Sequence, residues 1–342
     1  MDSRKIVVWV LIMVFISCCC LAEETEKVEE SSSAVSFLPD DIVNYTYSVG
    51  ESMLVTQDNS GIVQGLGLPA ESSIESMVKM SFSVAPADWT ASVTVYEQPS
   101  EGEPSQGPQP YRPVSPSTDT PAMKLEFSKA MQSWLINGSP VQPMVNLDSE
   151  LSGKQLFYTY DTDGIVSEVY NLDPAIIEFS PIDINCLLLM LQPPVPKLLD
   201  ESTWDKGVAV NLAFPRTWDN KLSVTEKLAV KYTYAGDSFW QEKPCYVFQV
   251  EIKGDELATS TTSISSTFAQ ASGTGSGTIM WSPESKCTVW SEIELNWERV
   301  EQLNLKTDQY IIVEKTGAVF SLVREAPQKT TPDNEGGEGA TE

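Results

Sequence analysis

Apolar and polar residues alternate with a period of two along much of this chain, and that period predicts half-buried β-strands. Val43, Tyr45, Tyr47 and Val49 alternate with Asn44, Thr46 and Ser48. Val78, Met80, Phe82 and Val84 repeat the pattern, and shorter runs follow at Ala91–Val95 and Met123–Phe127. Trp134–Ile136 runs into Asn137-Gly138, a pair that closes tight hairpins because both residues tolerate positive φ. Leu156–Tyr160 and Ile165–Tyr170 flank Asp161-Thr162-Asp163-Gly164, which reads as a second hairpin turn.

The same alternation resumes further on. Val208, Val210, Leu212 and Phe214 share a face; strands are predicted over Val224–Tyr234, Tyr246–Ile252, the Ser/Thr-rich Thr259–Phe268, and Thr278–Trp281. In Cys287–Glu298, Val289, Ser291, Ile293, Leu295 and Trp297 face one way; Trp290, Glu292, Glu294, Asn296 and Glu298 face the other. Tyr310–Lys315 and Ala318–Val323 are expected to form a closing hairpin about Thr316-Gly317.

Between the two regions the period changes. Cys186–Leu191 is apolar on every position, with Asp183 placed to cap a short helix and Pro193, Pro194 and Pro196 to stop it. Five leucine and methionine side chains at Leu187–Leu191 would be an aggregation hazard in water, so this helix is expected to dock on a sheet. The flanking regions also share patterns in the same order. Tyr45–Ser52 matches Tyr232–Ser238, and Tyr158–Val169 loosely matches Ile279–Ile293, which points to an internal duplication.

The predicted fold is therefore mainly β: two related antiparallel, curved, half-barrel-like sheet units joined by a short apolar helix and a proline-rich hinge. The expected segments are a signal (1–22), an acidic tether (23–36), a first β unit (37–182) with a proline-rich insertion (98–121), the hinge (183–207), a second β unit (208–325) and a polar tail (326–342).

Composition adds location. Arg4 and Lys5 precede Ile6–Ser17, an apolar run of export-signal length, short of the ~20 residues a spanning helix needs. Phe15-Ile16-Ser17-Cys18 resembles the lipobox of prokaryotic lipoproteins, in which the cysteine is diacylated and becomes the first mature residue. Cys18 is thus the candidate lipid-attachment residue; cleavage after Ala22 and an uncleaved anchor are the alternatives. Each places the remainder outside the cytoplasm, lipid-anchored in the cell envelope or secreted.

Chemistry is bounded mostly by exclusion. Of 342 residues, 22 are Lys or Arg and 48 are Asp or Glu, a net charge of −26, which opposes binding to nucleic-acid phosphates. The chain contains no histidine, which removes His-based triads and the commonest zinc motifs. Asp161–Gly164 lacks the glycine and glutamate spacing of a calcium loop. Gly273–Gly277 lacks the lysine and the following helix of a phosphate cradle. Glu292, Glu294 and Glu298 are spaced like paired hydrolytic carboxylates, but also like the wet face of a strand. Cys245 and Cys287 each begin a strand and form the candidate disulfide pair, with two buried free thiols as the alternative.

Pro194-Val195-Pro196 followed by Trp204, then Tyr232-Thr233-Tyr234, Cys245 and Gly275-Ser276-Gly277-Thr278-Ile279, resemble an uncharacterised family of two-repeat prokaryotic envelope lipoproteins over roughly Tyr45–Val323. The chain departs from that pattern at Glu201-Ser202-Thr203, where the family tends to carry a glycine. The resemblance implies no activity; its sheets look similar to the half-barrels of lipoprotein carriers. The function expected from all of this is a non-enzymatic envelope protein that presents a β surface to an unknown protein or apolar ligand. A carrier of lipid or another hydrophobic ligand is the alternative, and a carboxylate-based hydrolase a distant third. No cofactor, metal or nucleic acid is expected, and the membrane is a partner only through the lipid anchor.

Overall fold

A computed structural model describes residues 37–58, 71–87, 122–142, 146–170, 181–213, 216–218, 222–261, 265–305 and 309–326. The signal region with Cys18, the tether, the Ala91–Val95 run, the proline-rich insertion and the end of the tail lie outside the described residues.

The alternating segments are strands, as the period requires. The first half holds β1 (Val43–Asp58), β2 (Glu71–Pro86), β3 (Ala122–Ile136), β4 (Ser139–Val141), a short α1 (Leu147–Leu151), β5 (Gln155–Tyr160) and β6 (Val166–Tyr170). The middle holds α2 (Pro181–Leu191), α3 (Val195–Leu198) and a 3-10 turn (Glu201–Thr203). The second half holds β7 (Val208–Ala213), β8 (Arg216–Trp218), β9 (Leu222–Trp240), β10 (Lys243–Thr261), β11 (Ser265–Ser282), β12 (Cys287–Leu305) and β13 (Gln309–Arg324). The fold is mainly β, antiparallel and curved, without closure into a barrel.

The two halves share one sheet. Its order is β6-β5-β3-β2-β1-β13-β12-β11-β10-β9-β7, with β4 on β3 and β8 on β9. Taken from β7 to β6, this is a single antiparallel meander that the chain enters in the middle. It starts at β1, steps outward to β6, crosses to the opposite edge, and steps back until β13 lies against β1. The β1–β13 ladder runs from Tyr45↔Arg324 to Asp58↔Ile311 and joins the halves along β1 from its third residue to its last. β9, β10 and β12 each have 19 residues, about 60 Å at ~3.3 Å per residue, well beyond the usual ~3–10 residues.

Pairing partners in an antiparallel ladder lie on one face, so register fixes an inner and an outer face. Tyr47, Leu322 and Ser291 form one inner row, and Val49, Phe320 and Ile293 the next. All six are buried. The expected inner face of β12 is confirmed: Val289, Ser291, Ile293, Leu295 and Trp297 are buried.

Four local expectations are corrected. The helix begins at Pro181 rather than at an Asp183 cap; proline suits a first helical position because its missing N–H is unpaired there anyway. Thr259–Phe268 is not one strand. It divides between β10 and β11, whose ladder reaches Thr261↔Ser266. β11 runs through the glycines instead of starting at Thr278. Thr316-Gly317 is no turn: β13 is continuous, with Thr316 opposite Trp297 and Met53, and Gly317 opposite Asn296 and Ser52. A turn there would strip ladder bonds from both neighbours.

Candidate functional site

The inner face is the part of the molecule with the chemistry of a site, and α2 is its centre. Asn185 through Gln192 are all buried, including Leu187, Leu188, Leu189, Met190 and Leu191. A helical run apolar on all sides, as Cys186–Leu191 is, must be enclosed on all sides. α2 packs against β9, β12 and β13, so the connection between the two sheet edges runs over the inner face. The last carbonyls of a helix lack partners within it. Here the Tyr232 hydroxyl donates to the Leu189 carbonyl at 3.3 Å, and the Thr288 hydroxyl to the Leu191 carbonyl at 2.9 Å. Gln192 Nε2 donates to the Phe37 carbonyl at 3.3 Å, and the Phe37 ring meets Tyr160 edge-on at 6.0 Å.

The turn at Asp161–Gly164 holds the hinge from the first half. Asp161 Oδ1 accepts from the amides of Asp163 and Ile165, both at 2.9 Å. Gly164 has φ +80°, and a Cβ there would press on Phe37 and Pro196 at 3.2 Å. Lys197 ion-pairs with Asp163, and that hydrogen bond raises the lysine pKa. The hairpin reading therefore holds. Among the described residues no group of His, Cys, Asp and Glu is arranged to hold a metal.

Around α2 the sheet presents tyrosines. Tyr45 donates to the Thr288 carbonyl at 3.0 Å and stacks on Phe82 at 5.6 Å; Tyr158 and Tyr160 meet edge-on at 5.5 Å. Burial pushes the phenols of Tyr45, Tyr158, Tyr160 and Tyr232 above their ordinary value, so they stay neutral, and Tyr45 and Tyr232 donate to backbone carbonyls.

Beyond the helix the same face changes character. A Cβ on Gly254 or Gly273 would lie 2.4 or 2.2 Å from the Trp297 indole; one on Gly275 or Gly277 would meet Leu295 or Ile293 at 2.8 or 2.7 Å. The glycines thus let β12 side chains lie flat over β10 and β11, the close approach expected of strand glycines. One row further on, Arg299 pairs with Glu256 (3.4 Å), Glu301 (3.2 Å) and Glu314 (3.3 Å), with Ala271 between the arginine and Glu256. Sequence patterning did not single out Arg299, because its three partners come from three strands and only β12 carries two members.

The remaining candidate residues are dispersed. Cys245 and Cys287 are buried and free, which corrects the disulfide expectation. Tyr246 pairs with Trp281 and Cys287 with Ser282, so β11 lies between the two cysteines. Two strand spacings are roughly 9–10 Å, beyond the ~7 Å a disulfide can bridge. Burial also raises the Cys245 thiol pKa, which makes it a poor nucleophile. Glu292, Glu294 and Glu298 are exposed on the outer face, with Glu298 paired to Lys315 at 3.6 Å; they have the setting of a solvated strand face. Cys18 lies outside the described residues.

A second cluster sits where the hinge enters the second half. The Trp204 and Tyr234 rings are 5.2 Å apart, tilted by 42°. Tyr234 meets Tyr246 nearly perpendicularly at 6.0 Å, and Tyr246 stacks on Trp281 at 5.9 Å. The Tyr234 hydroxyl donates to Asp237 Oδ1 at 2.6 Å, which pushes the phenol up to about 12. The sequence signal was Ala235-Gly236, which interrupts the alternation after Tyr234.

No family model and no curated protein sequence matches the chain. Among solved structures it is similar to one described by the lipid–protein interactions of lipovitellin, with 9% identity, a TM-score of 0.36, and coverage of 85% of this chain and 25% of that one. The chain therefore spans about a quarter of the lipovitellin chain. It is also similar to an engineered protein studied for asymmetric conductivity, with 9% identity, a TM-score of 0.22, and coverage of 82% of this chain and 100% of that one. A third likeness is to a mutant porin of Rh. blastica, with 10% identity, a TM-score of 0.19, and coverage of 83% of this chain and 100% of that one. Likenesses this distant carry no function across to the present chain.

Proposed function

We propose that this protein is a non-enzymatic, extracytoplasmic binding protein of the cell envelope, held at a membrane through lipid on Cys18. Its broad outer sheet face engages a partner. The observation that carries the reading is a group of apolar side chains on that face. Leu257, Phe268, Val300 and Ile311 stand on four adjacent strands and are each more than two-fifths exposed. Register places Leu257 and Val300 beside Gln270, and Phe268 and Ile311 beside Gln302. Single exposed apolar residues are ordinary; neighbouring ones mark interaction surfaces. The lipobox-like Phe15–Cys18, the resemblance to envelope lipoproteins and the acidic composition support the location.

Mass spectrometry of the mature amino end, with fractionation of wild type and Cys18→Ser, tests the anchor. A diacylated Cys18 and release of the variant into the soluble fraction are expected; an unmodified, soluble wild type overturns it. A photo-crosslinker at Val300 should capture a discrete partner that one at Glu292, elsewhere on the same face, does not; equal capture at both positions overturns the assignment of the contact to the apolar group, and capture at neither overturns the outer-face reading.

A second reading, a carrier of hydrophobic ligands, is favoured by the inner face. It is aliphatic and aromatic around α2, and the helix is tied to strands by side-chain bonds from Tyr232 and Thr288, so an acyl chain could replace it without stranding a charge. Organic extraction of natively purified protein should then release a stoichiometric lipid; recovery of the lipid-attachment chain alone contradicts it.

A further inference from the structure

We propose that Trp204, Tyr234, Tyr246 and Asp237 form a binding site for a small quaternary or methylated ammonium group. The inference stands apart from both the anchor and the outer-face patch.

The site is made by a defect in strand pairing. In a regular strand Tyr234 and Asp237 would point to opposite faces. Here the register shifts: Tyr234 pairs with Phe248, but Gly236 pairs with Val247 and Asp237 with Tyr246, leaving Ala235 as the extra residue of a bulge. Gly236 sits at φ +117°, a backbone state that side chains other than glycine's rarely adopt. The bulge turns Asp237 to the side of Tyr234 and Tyr246, and the short hydrogen bond to the Tyr234 hydroxyl locks it there. Bulges re-aim side chains in this way beside functional sites.

What the bulge assembles suits a cation. Aromatic faces are electron-rich and attract ammonium groups. Tyr234 and Tyr246 stand nearly at right angles; Trp281 backs the Tyr246 ring and Phe248 packs on Tyr234, which holds the two rings as a corner. Trp204 leans on Tyr234 from the hinge and is two-fifths exposed. Tyr234 and Tyr246 are half-buried, while Asp237 is exposed beside them. Among the described residues no lysine or arginine ion-pairs with Asp237, whereas Lys231, Lys243 and Lys197 are engaged with Glu251, Glu284 and Asp163. The carboxylate's positive partner is therefore left to come from outside. The Tyr234 hydroxyl donates a hydrogen bond to the carboxylate and keeps its proton, so the ring stays neutral. Purely apolar packing would need neither the carboxylate nor the exposed indole.

A quaternary ammonium fits better than a primary one. It has no N–H to satisfy, presents methyl groups to the rings, and loses little hydration. A ligand bearing a carboxylate next to the ammonium would meet repulsion from Asp237 and from a chain of net charge −26.

The test uses choline and its neutral isostere 3,3-dimethyl-1-butanol, titrated into the folded full chain by calorimetry and tryptophan fluorescence. Choline is expected to saturate in the millimolar range and to bind about 10-fold tighter than the isostere, since each exposed ring contributes roughly two- to five-fold and the carboxylate adds to it. Asp237→Asn and Tyr246→Leu should each weaken choline several-fold and leave the isostere unchanged. Equal binding of the two probes, or no saturation by either, overturns the proposal, and this comparison needs no variant to fold. Vesicles of phosphatidylcholine against phosphatidylglycerol separate the sources of the group. Choline-competed retention on the first, lost in Asp237→Asn, assigns a lipid headgroup; absence of retention with choline binding intact assigns a free small cation.

Discussion

The inner face of the sheet is built in two ways along the same strands. At one end it is covered by α2, and the residues beneath are large: Tyr232, Phe248, Ile293 and Phe320 are buried. Along β10–β12 toward the other end the residues turn small, with Gly254, Gly273, Ala269 and Ala271, and the cover comes from β12 itself through Trp297 and Arg299. Interiors are close-packed, so an element laid on a sheet and a flat-lying side chain are alternative ways of filling one thickness. Where a helix is available the strands supply bulk; where none is, they supply glycine and alanine so that a neighbour can fold over them.

Alkali should break the helix-covered end first and most. Tyr45, Tyr158, Tyr160 and Tyr232 have phenols raised by burial, so the folded chain keeps protons that the unfolded chain releases near pH ~10. Their contribution is complete below that pH. It falls as pH rises above it, by about 1.4 kcal/mol per tyrosine per pH unit. Denaturant titrations between pH 8 and pH 11 should show the loss, with these four ionising only as sheet circular dichroism disappears. Ionisation with the sheet intact would show that the end is not sealed.

Removing helix bulk is next in size. Leu188 is fully buried, and Leu188→Ala should cost about 2–5 kcal/mol by chemical denaturation, since a cavity remains within packed surroundings. The self-covered end should respond to the opposite change. Gly273→Ala brings a Cβ within 2.2 Å of Trp297 and 2.5 Å of the Asn296 carbonyl, an overpacking cost of about 1–3 kcal/mol. Trp297→Leu in the same chain should relieve part of it, a coupling that a double-mutant cycle measures. If Gly273→Ala were neutral, the roof over the small residues would be movable.

Arg299→Met should cost roughly 2 kcal/mol, less than the ~3–5 kcal/mol of a fully buried pair because the network keeps some contact with water. Thr288→Val, which removes the bond to the Leu191 carbonyl, should cost about 1 kcal/mol. It should loosen α2 without disturbing Trp297, which tryptophan quenching can check.

Strand identity and facing were legible in the chain because alternation carries both, and the fit holds closely for Tyr45–Val49, Val78–Val84 and Val289–Trp297. The buried helix was legible from Leu187–Leu191. That the halves share one sheet was not, because strand pairing across hundreds of residues leaves no local mark: β1 beside β13 is a fact of topology. Gly317 misled because a glycine signals a turn only where the chain needs positive φ, and here it lies inside a ladder. Whether Cys245 and Cys287 meet was not legible, because strand starts give no cross-strand order. The aromatic corner at Tyr234 was half visible: Ala235-Gly236 marked an irregularity, but only register shows that Asp237 turns toward the rings.

α2 lies buried against the inner face of a single continuous sheet. Native-state hydrogen exchange of the peptide covering Asn185–Gln192 tests it most directly. These amides should exchange only through global unfolding, at the same free energy as the central ladder of β1 and β13. Exchange at free-peptide rates, with β9, β12 and β13 still protected, would contradict it.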